Sequence, residues 1–364
     1  MFFKIFSSLK LSEIIEICFF LISKKRKAFY IGSTQNNNLG DDALLYVTKK
    51  LLTKYHVLDL GYQMSHFFKL IIREKFIKPD IIILGGGTLI KKDAKFGFLN
   101  KINKIISLWP EVKVITFGTG TVDLPLSKLT NFPINILDWK TFFNKCDKIY
   151  VRGPQTNDFI KKIGVEKKIN ILGDPVIYFT KKYKKEIIKK KKIGINLANY
   201  AGRMYGQSEV DFKIFVEEIV YKLFTEKWDI SYFSTCIVDE IYIKKYLLNK
   251  SNININYIKT NTINQTIDLI ESFDIVLAQR LHCLIFSDCT FTPSVPIISE
   301  LKFYDYFDSI GLKKTSFKTS SICPKKVYRE IVRMYSNLEK ESEVLFNTMN
   351  KAKTKFKKIN FKNI

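Results

Sequence analysis

Asp80-Ile81-Ile82-Ile83-Leu84-Gly85-Gly86-Gly87 is the stretch on which the reading of the chain turns. Four large apolar residues in a row show neither helical spacing nor strict alternation. Such a run fits a strand covered on both faces, as in a parallel sheet flanked by helices. The three glycines that follow remove every side chain where something must approach the backbone. Glycines needed only to turn the chain would rarely number three, so Gly86 and Gly87 read as a floor for a ligand. Phe117-Gly118-Thr119-Gly120-Thr121 repeats the device after a strand expected at Val112 to Phe117, which makes Gly118 and Gly120 candidates of the same kind.

Outward from this stretch, strands and helices alternate. Ala28 to Gly32 reads as a first strand, followed by the turn Gly32-Ser33-Thr34-Gln35-Asn36-Asn37-Asn38-Leu39-Gly40-Asp41-Asp42 and a helix. That turn is neither a Walker A loop nor GxGxxG. Its glycines and asparagines permit positive φ and bring N–H groups toward an anion or sugar, so Asn38 and Asp41 are candidate cleft contacts; the plainer reading is a βα turn in which Asp41 caps the helix. A short strand is expected at Val57 to Leu60 and a helix at Phe67 to Phe76. Further strands are expected at Lys148 to Val151 and Ile169 to Leu172, with helices at Leu137 to Lys145 and Asn157 to Ile163.

A lysine-rich segment, residues 181–192, interrupts the alternation and reads as a solvated linker. Beyond it a second set begins with Ile193 to Leu197. A helix then places Phe212, Phe215, Val216, Ile219, Val220, Leu223 and Phe224 on one face. Strands at Asp229 to Phe233, Ile255 to Ile258, Asp274 to Ala278 and Pro296 to Ile298 alternate with helices at Glu240 to Leu248, Thr262 to Glu271 and Leu284 to Asp288. The fold class is therefore α/β, with two Rossmann-like domains on parallel sheets at residues 28–180 and 193–323. Residues 1–27 precede them as an amphipathic segment. Residues 324–364 follow as a helical tail whose apolar positions, among them Ile331, Leu338, Leu345 and Met349, suggest packing on a domain.

The chemistry concentrates in Asp274-Ile-Val-Leu-Ala-Gln-Arg280-Leu281-His282-Cys283. His282, one of 3 histidines, follows an apolar run that puts it at the carboxyl end of a strand, where open α/β sheets place ligands. Histidine changes charge near working pH, and a neighbouring guanidinium holds an anion beside it. Three other residues occupy comparable positions. Arg152 stands just past a strand and could clamp a carboxylate or phosphate, against the plainer reading of a surface salt bridge. Asp174 lies in Leu172-Gly173-Asp174-Pro175, and Lys302 follows the strand after that of His282. Paired carboxylates, a serine elbow and a metal cluster are all missing from the sequence, so neither metal nor cofactor is expected.

Composition narrows the partners. The 364 residues suit two domains, and 46% hydrophobic content excludes disorder. Lys+Arg 60 against Asp+Glu 35 gives +25, favouring anionic partners such as phosphorylated small molecules or an acidic membrane surface. Without a reader motif, nucleic acid is not expected. Six cysteines without a CxxC pair argue for reduced thiols and a cytoplasmic setting. The amino terminus lacks the small-residue cleavage region of a signal peptide. The apolar run Ile14 to Ile22 is too short to span a bilayer, which needs ~20 residues. Followed by Lys24-Lys25-Arg26-Lys27, it could lie at the inner face of the cell membrane as a peripheral contact, or pack on the protein itself.

Taken together, Gly40-Asp41-Asp42, the Asp80 to Gly87 strand, Gly118-Thr-Gly120, Val151-Arg152, Asp174-Pro175, Arg280-Leu281-His282 and Lys302 ahead of Ile310-Gly311-Leu312 resemble the polysaccharide pyruvyl transferase family over most of residues 28–312. The resemblance implies a GT-B-like arrangement with an interdomain cleft. It also implies transfer of a pyruvyl unit from phosphoenolpyruvate, a co-substrate, onto two hydroxyls of one sugar of a surface or capsular polysaccharide or its precursor, so the acceptor would be a glycan or a lipid-linked glycan. His282 would be the catalytic acid/base, with Arg280 beside it in the catalytic pair, and Arg152, Arg280 and Lys302 would be among the candidates for holding donor phosphate and carboxylate. Two stretches depart from the family pattern: Gly120-Thr121-Val122-Asp123, and Ser299-Glu300-Leu301 ahead of Lys302. The rival activity is a GT-B-like glycosyltransferase using a nucleotide-activated sugar, such as a CMP-linked keto-acid sugar, whose carboxylate the same Arg and His would bind. A membrane-bound scaffold without turnover is the non-enzymatic reading.

Overall fold

Ile81–Leu84 does form a strand, every residue of it buried, in a computed structural model that describes residues 11–34, 37–61, 68, 75, 77–91, 97–122, 134–184, 186–197, 209–242 and 255–357. The helix expected at Phe67 to Phe76 lies almost wholly outside the described residues, as do most of Glu240 to Leu248 and the turn beyond Val122. Two compact units make up the chain. Residues 1–36 and 41–175 belong to the first, residues 37–40 and 176–358 to the second.

In the first unit, α1 (Leu11–Ile22) leads into β1 (Arg26–Ile31), and α2 (Leu39–Leu51) into β2 (Tyr55–Asp59). Then come β3 (Ile81–Leu84), β4 (Gly87–Ile90), α3 (Phe98–Leu108), β5 (Lys113–Thr116), β6 (Thr119–Thr121), α4 (Ile136–Lys145), β7 (Ile149–Val151), α5 (Pro154–Lys162) and β8 (Ile169–Ile171). One sheet runs β2-β1-β3-β5 and a second β4-β6-β7-β8, all neighbours parallel. The two sheets are successive stretches of one wall, because the Gly118 N–H donates to Tyr150 O at 3.0 Å and Ile115 bridges Lys148. Helical spacing explains the cover: α3 buries Phe98, Leu99, Ile102, Ile105 and Ile106, each worth on the order of 1.5–3 kcal/mol.

Both glycine stretches were read as strand ends, and the structure corrects this. The strand resumes after each, as β4 and as β6. A Cβ on Gly85 would stand 2.2 Å from the Tyr30 ring, and one on Gly86 would stand 2.7 Å from Leu44, while Gly87 has φ +92°. The glycines thus let a buried tyrosine and α2 press on the sheet where it bends. Arrival of a ligand is not needed to explain them.

Asp59, at the end of β2, is fully buried and accepts from Thr34 Oγ1 (2.8 Å) and the Gly61 N–H (2.9 Å). Burial outweighs those bonds and pushes its carboxyl up to about 6. The folded state therefore holds this proton more tightly than the unfolded chain does, where a carboxyl titrates near ~3.9. The contribution to stability is fully present below about pH 4 and is lost as pH rises through about 6. Asp59→Asn keeps an acceptor without the charge. In urea unfolding, the variant should gain about 1–3 kcal/mol on the parent between pH 4.5 and 7. A pH-independent difference would refute the assignment.

The second unit contains β9 (Lys192–Asn196), α6 (Glu209–Thr225), β10 (Asp229–Ser234), α7 (Ile237–Tyr242), β11 (Asn256–Lys259), α8 (Ile263–Glu271) and β12 (Ile275–Ala278). These are followed by α9 (Leu281–Cys289), β13 (Ser294–Ile298), α10 (Lys302–Ile310), β14 (Phe317–Lys318), α11 (Pro324–Ser336) and α12 (Leu338–Lys357). Its six parallel strands run β11-β10-β9-β12-β13-β14, the 3-2-1-4-5-6 order of a doubly wound sheet. On α6 the expected apolar face is buried except for Phe224, which is exposed. The helical tail packs as expected, with Ile331, Leu338, Leu345 and Met349 all buried.

The segment 181–192 is not a free linker. The second unit already begins at Val176, and the lysines are tied to it. The Lys181 N–H donates to Cys289 O at 2.9 Å and its Nζ pairs with Glu271. The carboxylate of Asp274 accepts from the N–H groups of Lys190 (2.8 Å) and Lys192 (2.9 Å), which seats β9 beside β12.

Candidate active site

In a doubly wound sheet the crevice opens where the strand order reverses, here between β9 and β12. Asn196 ends β9, and the Gln279 N–H beyond β12 donates to its carbonyl at 2.9 Å. The apolar run Ile275–Ala278 is wholly buried, so the first polar side chains after it emerge at the carboxyl edge. Arg280 is extended (φ −92°, ψ 127°) at the N-cap of α9, and its own side chain makes no capping hydrogen bond. The first N–H groups of α9 and its dipole thus favour an anion at this edge. Asp288 anchors the far end of α9, accepting from Tyr306 Oη at 3.1 Å and Lys314 Nζ at 2.5 Å.

The guanidinium of Arg280 is held by Asp239 on α7. Its Nε donates to Oδ1 at 2.7 Å and its Nη2 to the same oxygen at 2.5 Å. Asp239 is completely buried and also accepts from Asn196 Nδ2 (3.5 Å) and the Thr235 N–H. Burial pushes its carboxyl up to about 8, against the hydrogen bonds from Asn196 and the Thr235 N–H, and the permanently charged guanidinium in contact favours its ionised form. Lys302 opens α10 with Nζ 3.3 Å from Glu300 Oε1, and its charge also reaches Asp239 and favours the ionised form. Two further polar atoms at this edge, Asn196 Oδ1 and Ser299 Oγ, are buried without a hydrogen-bond partner among the described residues.

His282 is half-buried on the first turn of α9 and packs against the backbone of Gly40. A Cβ there would lie 2.0 Å from His282 Nδ1 and 2.2 Å from Cγ. Residues 37–40 are themselves pinned within the second unit. The Leu39 N–H donates to Thr235 O (3.0 Å), the Ile237 N–H to Asn37 O (3.2 Å), and Asn38 bridges Cys236. Asn38 Oδ1 accepts from the Gly40 N–H at 3.2 Å and caps α2, the role the sequence reading gave to Asp41. Cys283, beside the histidine, is fully buried and its thiol is pushed well up, so it supplies no thiolate nucleophile.

The remaining candidates lie in the first unit. Arg152 follows β7 and is 1% exposed, which excludes the surface salt bridge. Gly120 makes room for it: a Cβ would stand 2.2 Å from Arg152 Nη2. Gly118 (φ +73°) makes room for Pro175, 2.4 Å from its would-be Cβ. Asp174 is fully buried, and Asp41 lies in the first turn of α2 with Oδ1 3.5 Å from the Cβ position of Gly87. The Tyr30 hydroxyl accepts from the Gly86 N–H, and burial together with Asp59, Asp41 and Asp174 raises its pKa.

The structure groups Arg280, His282 and Lys302 at one edge, together with Asp239, Asn196 and Gly40. The sequence signals only that an arginine at a buried strand end needs a counter-charge; that Asp239 supplies it follows from the sheet order, which sets β10 two places from β12. A cavity of about 230 Å³ in the second unit, bounded by Lys192 and Asp274, opens at the amino ends of β9 and β12, away from this chemistry. Cationic groups, helix N–H donors and an imidazole within three residues can bind a phosphate or carboxylate and move a proton beside it.

A family model described as polysaccharide pyruvyl transferase matches residues 38–300. No curated protein matches the chain in sequence. Among solved structures, S. aureus MnaA with UDP is similar at TM-score 0.59 and 13% identity, over 91% of this chain and 92% of that one. The UDP-GlcNAc 2-epimerase of Methanocaldococcus jannaschii gives 0.56 and 11%, over 85% and 92%. Anabaena Alr3699/HepE with UDP and glucose gives 0.54 and 10%, over 91% and 95%. At these identities the likeness shows the fold alone, and that fold is α/β with parallel sheets, of the GT-B-like class.

Proposed function

We propose that this chain, which belongs to the polysaccharide pyruvyl transferase family, takes phosphoenolpyruvate as donor and forms a pyruvyl ketal on a sugar of a polysaccharide or its precursor. The observation that carries this reading is the Arg280-Leu281-His282 edge. There an imidazole and a carboxylate-braced guanidinium flank a helix N-terminus, with Lys302 opening the neighbouring helix. His282, protonated, delivers its proton to the methylene carbon of phosphoenolpyruvate, turning it into a methyl group. The electron-deficient carbon next to it is attacked by a sugar hydroxyl, whose proton leaves to a base. The carbon–oxygen bond to phosphate then breaks, inorganic phosphate departs with the bonding pair, and the second hydroxyl attacks the same carbon to close the ketal, its proton returning to the His282 imidazole. Arg280, Lys302 and the α9 N–H groups balance the donor's negative charge as it shifts to phosphate. Arg152 of the first unit is proposed as a further donor-anion residue.

The test is direct. Purified protein with phosphoenolpyruvate and an oligosaccharide acceptor is expected to release phosphate in step with an acceptor mass gain matching a pyruvyl ketal. Turnover of a CMP-sugar with no phosphate release from phosphoenolpyruvate would replace this reading by the glycosyltransferase one.

A further inference from the structure

Helix α1 has two apolar faces, and among the described residues only one is packed against the rest of the protein. Ile17 and Phe20 are buried; Phe20 stacks on Phe29 (5.9 Å between centroids) and meets His56 edge-on (5.4 Å). On the other side Leu11, Ile15, Phe19 and Ile22 recur at spacings of four, four and three, the period of one helix face. They are 72%, 46%, 59% and 74% exposed. The stripe runs about 16 Å along the helix. Glu16, the acid nearest its centre, turns to Lys49 at 2.6 Å.

Cations gather where the stripe ends. Lys27 folds back onto the carbonyls of Phe20 and Ser23, the latter at 2.7 Å, and closes the helix C-terminus. Lys24, Lys25 and Arg26 are exposed beyond it, and among the described residues Lys24 and Lys25 make no ion pair. Tyr46 and Lys50 on α2, the helix that supplies Lys49, are exposed as well. Among the described residues no helix is long and apolar enough to cross a membrane, so this geometry suits a helix lying in an interface.

We propose that α1 docks the protein on an anionic lipid surface, with Leu11, Ile15, Phe19 and Ile22 inserted at the headgroup boundary and Lys24 and Lys25 on lipid phosphates. Charge complementarity selects this occupant. A second copy would bring another +25 chain against the same basic end, whereas an anionic bilayer attracts it and takes up the apolar stripe together with the cations.

Co-sedimentation of the full chain with vesicles tests this, using phosphatidylcholine alone against phosphatidylcholine carrying about a third phosphatidylglycerol, an anionic share large enough to set up a surface potential. Binding is expected to the anionic vesicles, to weaken with salt, and to be slight on the neutral ones. A Phe19→Glu/Ile22→Glu variant should lose on the order of 10²-fold in partitioning, and Lys24→Glu/Lys25→Glu on the order of 10-fold. All four side chains are exposed, so both variants should keep the parent's thermal transition and its phosphate release. Equal pelleting with the two vesicle types, or no response to either variant, overturns the proposal. So does a dimer in light scattering that Phe19→Glu/Ile22→Glu dissociates, since the face would then belong to a second copy. The pelleting, thermal and light-scattering readouts do not depend on the identity of the donor.

Discussion

His282→Ala should fold like the parent and lose ~10²-fold or more in the rate of phosphate release from phosphoenolpyruvate. The side chain is only half-buried on the first turn of α9, so its removal opens little core; a shift of the thermal midpoint by more than a few degrees is not expected. Its loss removes the imidazole that this edge offers for a proton transfer, while Arg280 and Lys302 remain to bind the donor. The fall should therefore appear in kcat, with the KM for phosphoenolpyruvate changed far less. Gly40→Ala tests the same residue without deleting it. Its Cβ would stand 2.0–2.5 Å from the Nδ1, Cγ and Cβ atoms of His282, so the whole side chain, and the start of α9 with it, must shift. A displacement of that size costs on the order of 10²-fold in a positioned reaction. Near-normal turnover in His282→Ala would remove the imidazole from the mechanism; near-normal turnover in Gly40→Ala alone would show that the ring yields without consequence.

The parts of this arrangement legible in the sequence were those governed by local pattern. Ile81–Leu84 and Ile275–Ala278 announce buried parallel strands because both faces are apolar, and residues following such a strand must come out at its carboxyl edge. That logic placed Arg280, His282 and Lys302. It failed where a residue answers to something distant in the chain. Gly85, Gly86 and Gly120 looked like room for a ligand, but the room is taken by Tyr30, Leu44 and Arg152, contacts that only the folded sheet creates. Gly40 looked like part of a βα turn, and its spatial neighbour is a histidine far along the sequence. The lysines of 181–192 looked solvated because their acceptors, Asp274, Glu271 and Glu343, are remote in sequence. Asp239 was passed over for a related reason: it stands in an unremarkable stretch, Cys236-Ile-Val-Asp239-Glu240, and acquires a role only when β10 and β12 flank β9.

Asp239→Ala should therefore be the most damaging substitution outside His282, with two separable effects. The first is on stability. The change strands the Arg280 guanidinium, whose side chain is only 12% exposed, opposite a vacated carboxylate site. Breaking a buried pair by deleting one partner costs ~3–5 kcal/mol, and the partial exposure of Arg280 points to the lower end. The second effect is on the donor. Two hydrogen bonds to one carboxylate oxygen fix the plane of the guanidinium, and without them Arg280 spreads over several rotamers. As a positioning residue, Asp239 should then act mainly on the KM for phosphoenolpyruvate, raising it roughly 10-fold or more, with a smaller fall in kcat. Asp239→Asn separates the two effects: it keeps the shape and one acceptor, so most of the stability should return while the charge that holds Arg280 does not. Arg280→Lys, which keeps a positive charge but loses the fork, should reproduce the KM effect with little loss of stability. If Asp239→Ala unfolds at lower urea yet binds phosphoenolpyruvate as the parent does, Asp239 braces the α7–β12 packing alone, and Arg280 does not hold the donor through it.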